Sequence, residues 1–185
     1  MGQSKALLIC PDGRTFVRAL IDALREGGID APLIVGHADD DGLRLEVEAS
    51  GHGARLVIND DADRGGQLSS LLAGLRHADR PGIRALLVVP VDAPLVTPDT
   101  VATLIAVFSA TGAPIVRARF GGKNGHPVVF SRAVFDQLSA ADPQVGAKAV
   151  LRLHSGAIVN VDVADPAVVG HVDTPEDYRR LLGRP

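Results

Sequence analysis

Two aspartates stand where an apolar run gives way to a loop. Asp92 closes the longest such run, in "VVPVDAPLVTP". Withdrawing a carboxylate from water is costly unless a counter-charge meets it. A hard divalent cation meets that need, and Mg²⁺ takes carboxylate oxygen together with substrate phosphates. The other reading of Asp92 is a turn residue that accepts backbone N–H groups. Asp173 lies in "HVDTPEDY", where Thr174 to Asp177 make a strong helix start and Asp173 fits turn chemistry. If Asp173 faces Asp92 across strand ends, the two carboxylates hold one Mg²⁺ in a site for phosphoryl or nucleotidyl transfer.

Three further stretches carry candidate groups. "NDDADRGGQLSSLLAGL" puts Asn59 at a strand end, then a glycine-rich turn with Gly66, then a helix opening at Ser69 and Ser70. Backbone N–H groups at such a start bind an anion or the polar edge of a base, or else the stretch is a loop with a serine cap. "GGKNGHPVVF" is a glycine-rich turn into a strand, with His126 held extended before Pro127. "MGQSKALLIC" sets Gly2 and Lys5 ahead of a short apolar segment, in the manner of the tail of a phosphate loop. The chain has no Ser/His/Asp triad context, no CxxC zinc spacing and no complete P-loop.

The elements that would position these groups alternate. Short β-branched runs at 31–36, 54–59, 84–92, 113–119, 126–131 and 156–165 read as strands. Helical patterns fall at 15–28, 69–79, 97–112, 131–140, 145–154 and 174–183, with 38–50 as a surface helix. Gly27 and Gly28 stop the first helix. Thr97–Pro98 and Thr174–Pro175 are cap-and-start pairs for the third and last patterns of the series. The alternation predicts an α/β fold with a mostly parallel sheet covered on both faces, formed by residues 1–185 as one domain. In such folds ligands bind beyond the carboxyl ends of the strands, where Asp92, Asn59, the "GHP" segment and Asp173 all fall.

Bulk composition agrees. The 185 residues are 46% hydrophobic and 22% charged, with 3% aromatics and no Trp, so the core must be aliphatic. A net charge of −3 without a basic stripe or stacking aromatics argues against a nucleic-acid surface. Cys10, the single cysteine, excludes an internal disulfide and fits a reducing cytoplasm; it reads as a small buried hydrophobe. No stretch approaches the roughly 20 apolar residues that span a membrane.

Taken in order, these motifs resemble the MobA-like nucleotidyltransferases, and among them the molybdenum cofactor cytidylyltransferases. "GQSKALL" is similar to the close of that family's LAAGxSxRMGxxK signature, and "NDDADRGGQLSSLLAGL" to its N…G…SSL..GL segment. "VVPVDAPLVTP" resembles its strand-ending D-x-P-L, "GKNGHPVVF" its G-x-x-GHP turn, and "VDTPEDY" its D-T-P-x-D ending. The resemblance implies a Rossmann-like three-layer fold, and attack of a molybdopterin terminal phosphate on the α-phosphate of CTP with loss of pyrophosphate. By position, Gly2 and Lys5 would contact the nucleotide phosphates, and Asp92 and Asp173 would hold Mg²⁺. Asn59, Gly66, Ser69 and Ser70 would lie near the nucleotide base, and Gly125, His126 and Pro127 near the pterin. A molybdenum hydroxylase would receive the product.

The sequence departs from the pattern in three ways. The family's first core strand and glycine-rich loop fall ahead of Met1. Their lack would leave strand edges unpaired and apolar neighbours half-exposed, and would make "ALLIC" a lead into the first helix rather than a core strand. His171 stands where the family has the first acid of D-I-D. "PQVGAK" puts Gln144 and Lys148 where the family has an acid and an arginine. Three functional readings stay open: a cytidylyltransferase, a degenerate member that binds and delivers pterin or nucleotide, and a nucleotidyltransferase with another phosphate acceptor.

Overall fold

The structure is a computed structural model that describes residues 4–51 and 53–183. Gly2 therefore lies outside the described residues. Lys5–Leu7 forms a single 3₁₀ turn, and Ile9 makes only an isolated bridge to Thr15, so "ALLIC" leads into the first helix as expected.

Helix α1 (Phe16–Glu26) starts at Thr15, whose side chain accepts from the Arg18 N–H, and stops at Gly27. Strands β1 (Leu33–Gly36) and β2 (Arg55–Ile58) pair in parallel, joined by α2 (Asp41–Ala49). Helix α3 (Ala62–Ala78) is broken at Gly66, whose φ of 55° and ψ of −154° suit glycine alone, so its continuous part begins beside Ser69 and Ser70. Next come β3 (Ala85–Val88), α4 (Pro98–Thr111), β4 (Ile115–Phe120) and β5 (Lys123–Ser131). The chain closes with α5 (Phe135–Ser139), α6 (Lys148–Leu153), β6 (Ile158–Asp162) and α7 (Pro175–Leu182).

The α/β, Rossmann-like expectation holds, with a sheet that is mixed in direction. One sheet is β1-β2; the other runs β3-β5-β4-β6. β4 and β6 are parallel, but β5 is antiparallel to both β3 and β4. The cause is local. Gly121 and Gly122, both at positive φ, reverse the chain in two residues between Phe120 and Lys123, the geometry that two-residue hairpins require. β3 ends at Val88, four residues short of Asp92; Pro90, two residues on, and Pro127, just before Val128 on β5, have no N–H to continue the ladder.

Period-two burial sorts the large sheet into two faces. Leu86, Val88, Ile115, Val128 and Phe130 pack with Leu75 of α3 and with α5; Ala85, Leu87, Val116, Ala118 and Val129 pack with Leu104 of α4 and its neighbours. Among the described residues, no strand pairs with the second edge of β1 or β3, and all eight residues of these strands are only partly buried. The helices join what the strands do not. Val17 and Ile21 of α1 meet Ile34 and Leu56, while Leu20 and Leu24 of the same helix meet Leu87 and Val89. On the other face, Gly74 of α3 lies against Val35, and Leu75 packs among β5 residues.

One glycine in β5 positions the segment beside His126. A Cβ on Gly125 would sit 1.7 Å from the Val168 carbonyl oxygen, in the 3₁₀ turn Pro166–Val169. Backbone cannot retreat as a flexible side chain can. Gly125→Ala is therefore expected to lower unfolding stability by about 1–3 kcal/mol, the usual cost of overpacking. Urea unfolding of the variant against the parent protein measures this; an unchanged midpoint would show that the 3₁₀ turn yields freely.

Candidate functional site

Two valines set the site. Val91 precedes Asp92, and Val172 lies between His171 and Asp173. Val172 is fully buried with Cys10, Phe16 and Ala19, and Val91 packs against the same cluster. The Val172 N–H donates to the Asp92 carbonyl at 2.9 Å. Val172 is turned inward, and the side chains on either side of it, His171 and Asp173, are 35% and 65% exposed. Asp173 then leads into α7, whose start is a capping box: Thr174 Oγ1 accepts from the Asp177 N–H, and the Asp177 carboxylate accepts from the Thr174 N–H. Tyr178 of this helix donates to the Ile9 carbonyl at 2.6 Å, tying it to the segment after Lys5.

Around this anchor the charged groups pair off. Lys5 Nζ donates to Asp173 Oδ1 at 2.8 Å, 168 residues away in sequence. His171 Nδ1 lies 3.0 Å from Asp92 Oδ1. An ionised carboxylate can only accept, so Nδ1 is the donor of this pair, and Nε2 is the ring nitrogen that faces away from Asp92. The His126 ring meets the His171 ring edge-on at 5.8 Å between centroids. The Asp92 side chain is 15% exposed, against 65% for Asp173, so the two carboxylates differ sharply in contact with water.

The structure thus gathers Lys5, Asp92, His126 and Asp173 in one corner. Gly125 and Pro127 flank His126 on β5, with the His126–Pro127 peptide cis. His171 was absent from the candidates drawn from the sequence, where it stood only as a departure in type. The available signal was its place in "HVD", where an apolar residue parts it from Asp173.

Asn59, Ser69 and Ser70 form a second cluster. Asn59 is 2% exposed; its Nδ2 donates to Ser69 Oγ at 2.8 Å and to Ser70 Oγ at 3.1 Å, and its Oδ1 accepts from the Asp61 N–H. Ser69 Oγ donates onward to the Gly66 carbonyl at 2.9 Å. Asn59 therefore braces the turn that exposes Gly66 and the start of the continuous helix. Among the described residues, no hydrogen bond or ion pair links this cluster to the Asp92 corner. A third polar group escaped the sequence reading. Buried Asp165 accepts from the Thr97 N–H, Thr100 Oγ1 and the Ala167 N–H, and locks the start of α4.

The donor set suits a divalent cation completed by substrate. Asp92 Oδ2 and Asp173 Oδ2 make no hydrogen bond among the described residues, and neither is a buried, unpartnered atom. No cluster of three His, Cys, Asp or Glu side chains that could hold a metal occurs among the described residues.

The profile of the MobA-like NTP transferase domain family matches residues 1–159. The chain belongs to this family. Among solved structures it is similar to Rv0371c from Mycobacterium tuberculosis H37Rv, at 30% identity and a TM-score of 0.76, over 100% of this chain and 91% of that one. The manganese complex of Rv0371c matches at 30% identity and a TM-score of 0.74, over 99% and 94%. Molybdopterin-guanine dinucleotide biosynthesis protein A from Archaeoglobus fulgidus shares the fold at 17% identity and a TM-score of 0.69, over 98% and 90%. CMP:2-keto-3-deoxy-manno-octonic acid synthetase complexed with CTP shares it at 16% identity and a TM-score of 0.74, over 97% and 90%. No curated protein matches the chain. The chain is thus a MobA-like nucleotidyltransferase by family. No helix among its described residues is long and apolar enough to cross a membrane.

Burial gives the site a pH signature. His126 Nδ1 is buried and has no hydrogen-bond partner among the described residues. Burial first, and the neighbouring His171 second, hold its pKa below the ordinary 6.5. The unfolded chain therefore binds this proton more readily than the folded one. Stability from this group is complete above pH 6.5 and falls as the pH drops below it. The urea midpoint should fall between pH 7.5 and pH 5.5 (roughly the range in which histidine alone titrates), and His126→Gln should flatten that fall. An equal slope in the variant would place the titrating group elsewhere.

Proposed function

We propose that the protein transfers a cytidylyl group from CTP to the terminal phosphate of molybdopterin cofactor and releases pyrophosphate. The observation that carries this reading is the corner itself: Lys5, Asp173 and the Asp92–His171 pair converge beyond the end of β3 in a chain of nucleotidyltransferase family. The G-x-x-K spacing of Gly2 and Lys5 and the "SSL" segment at Ser69 and Ser70 resemble cytidylyl rather than guanylyl members. The manganese complex of Rv0371c supports a divalent metal.

In the transfer, an oxygen of the acceptor phosphate forms the new bond to the α-phosphorus. The bond between the α-phosphorus and its bridging oxygen to the β-phosphorus breaks, and pyrophosphate leaves with the electron pair. The attacking oxygen already carries negative charge, so no side chain has to remove a proton. What the chain must supply is orientation and relief of repulsion between two anions. Lys5 would leave Asp173 for the triphosphate, an exchange that costs little because an exposed ion pair is worth only about 0–1 kcal/mol. Asp173 and the Asp92–His171 pair would hold the divalent ion, Mg²⁺ or a close substitute, which when bound neutralises charge on the triphosphate. The Gly66 turn would receive the base, and Gly125, His126 and Pro127 would flank the pterin.

The test is pyrophosphate release with molybdopterin cofactor and CTP, with GTP and simple sugar phosphates as competing arms. CTP with the pterin acceptor is expected to give the fastest turnover, and Asp92→Ala to lower it by about 10²-fold or more. Turnover with a sugar phosphate alone would move the acceptor to another class. Nucleotide binding without pyrophosphate release in any arm would favour a binding and delivery protein. Near-parental turnover by Asp92→Ala would remove Asp92 from the machinery.

A further inference from the structure

The pair behind the proposed metal site is an unusual one for a Mg²⁺ centre. A carboxylate-only site offers oxygen to a hard ion. Here the more shielded of the two carboxylates, Asp92, has one oxygen committed to His171 Nδ1 at 3.0 Å. The two ring nitrogens lie on opposite sides of the imidazole. An ion on Nε2 therefore lies away from Asp92, with the ring between them. Nε2 makes no hydrogen bond among the described residues and is not a buried, unpartnered atom, so it reaches solvent and is open to a cation. Val172 between His171 and Asp173 is fully buried, whereas the His171 and Asp173 side chains are 35% and 65% exposed, so both flank the buried valine with access to solvent. A carboxylate that holds the far nitrogen of a histidine fixes the tautomer, aims the ring and raises its basicity as a metal ligand.

We propose that His171 supplies a nitrogen ligand to the divalent ion at this site, with Asp92 behind the ring as its positioning partner and Asp173 as the oxygen ligand. The site then takes a first-row transition ion in preference to Mg²⁺. Mg²⁺ keeps to oxygen and sheds water reluctantly, whereas transition ions accept imidazole. This rests on the metal-dependent transfer proposed above, and refines which atoms hold the metal. His171 thereby becomes the residue that sets metal choice.

Mn²⁺ is the probe, because its paramagnetism reports its own ligands. The full chain is loaded with Mn²⁺ and CTP and read by pulsed electron paramagnetic resonance, with Mg²⁺ competition for relative affinity. The expected spectrum carries nitrogen modulation from a directly bound imidazole. His171→Asp is expected to lose that modulation while still binding Mn²⁺, and to narrow the Mn²⁺ over Mg²⁺ preference by about tenfold or more. Asp92→Asn, which still offers an oxygen to Nδ1–H, is expected to keep the modulation; His126→Gln is expected to leave it unchanged. Thermal unfolding of each variant separates loss of a ligand from loss of the fold.

An oxygen-only spectrum in the parent protein overturns the proposal, as does nitrogen modulation that survives His171→Asp or failure to retain Mn²⁺ at all. Loss of Mn²⁺ by folded Asp92→Asn with retention by His171→Asp also overturns it, because Asp92 would then be the ligand. These readouts are independent of turnover. Nitrogen modulation in a chain that releases no pyrophosphate supports the metal assignment and overturns the transfer; turnover with an oxygen-only spectrum does the reverse.

Discussion

The acidic corner of this protein hangs from an apolar contact. Val91 and Val172 pack into the cluster of Cys10, Phe16 and Ala19, and each has a carboxylate as its next residue. Val91 does more, packing also against the cluster of Val17, Ile21, Leu43 and Val47 and against that of Leu20, Leu24 and Val101. One aliphatic side chain at the meeting of three clusters thus fixes the backbone from which Asp92 projects. The Val172 N–H to Asp92 carbonyl bond then sets the second segment in register with the first. Charges alone would not hold such an arrangement, since ion pairs at a surface contribute little and burying one costs a great deal. Burying a valine side chain contributes roughly 1.5–3 kcal/mol and asks for no partner.

The same logic carries the fold across the break between its sheets. β1 and β2 share no backbone ladder with β3, β5, β4 and β6 among the described residues. Continuity comes from α1, seven of whose residues are buried, and from α3 on the opposite face. Each helix meets both sheets, so the layer is held by side chains where strands elsewhere are held by hydrogen bonds. β1 and β3 remain only partly buried along their length, as expected of strands with a single partner each. The Asp92 corner follows the end of β3, and the Gly66 turn follows the end of β2, so the helices that bridge the sheets also fix how the two clusters stand to one another.

Much of this was legible in the residues, and what was not has a physical reason. Local chemistry reads well. Thr97 and Thr174 cap their helices, Gly27 ends α1, and Gly66 breaks the chain ahead of Ser69, because caps and breaks depend on neighbours within a few positions. Asp92 and Asp173 were also legible, as charges at the ends of apolar runs. Partners distant in sequence were not. Lys5 meets Asp173 across 168 residues and His171 meets Asp92 across 79, and no periodicity encodes such meetings. The direction of β5 shows the intermediate case. "GG" between two apolar runs is a hairpin signal, yet the regular alternation of strands and helices elsewhere pointed to parallel crossovers. The Asp165 lock on Thr97 and Thr100 was hidden because an aspartate at the end of a strand pattern looks the same whether it faces water or a helix start.

The two ion pairs of the corner differ in a way that bears on what each can do. Lys5 and Asp173 are 33% and 65% exposed, and water competes for both partners. Such a pair holds its members near one another yet yields readily to a triphosphate on one side and a cation on the other. Asp92 at 15% exposure has lost most of its water, and giving up His171 would leave a shielded charge without its donor. The exposed pair is therefore suited to exchange partners, and the shielded pair to stay closed with the Nε2 edge of the ring turned away from Asp92. Rigidity where the ligand must be aimed and exchange where the ligand must be admitted are opposite demands. The fold sets the two carboxylates apart accordingly, one seated behind a histidine and the other at the start of a capped helix, which is what the proposed metal-dependent transfer would require.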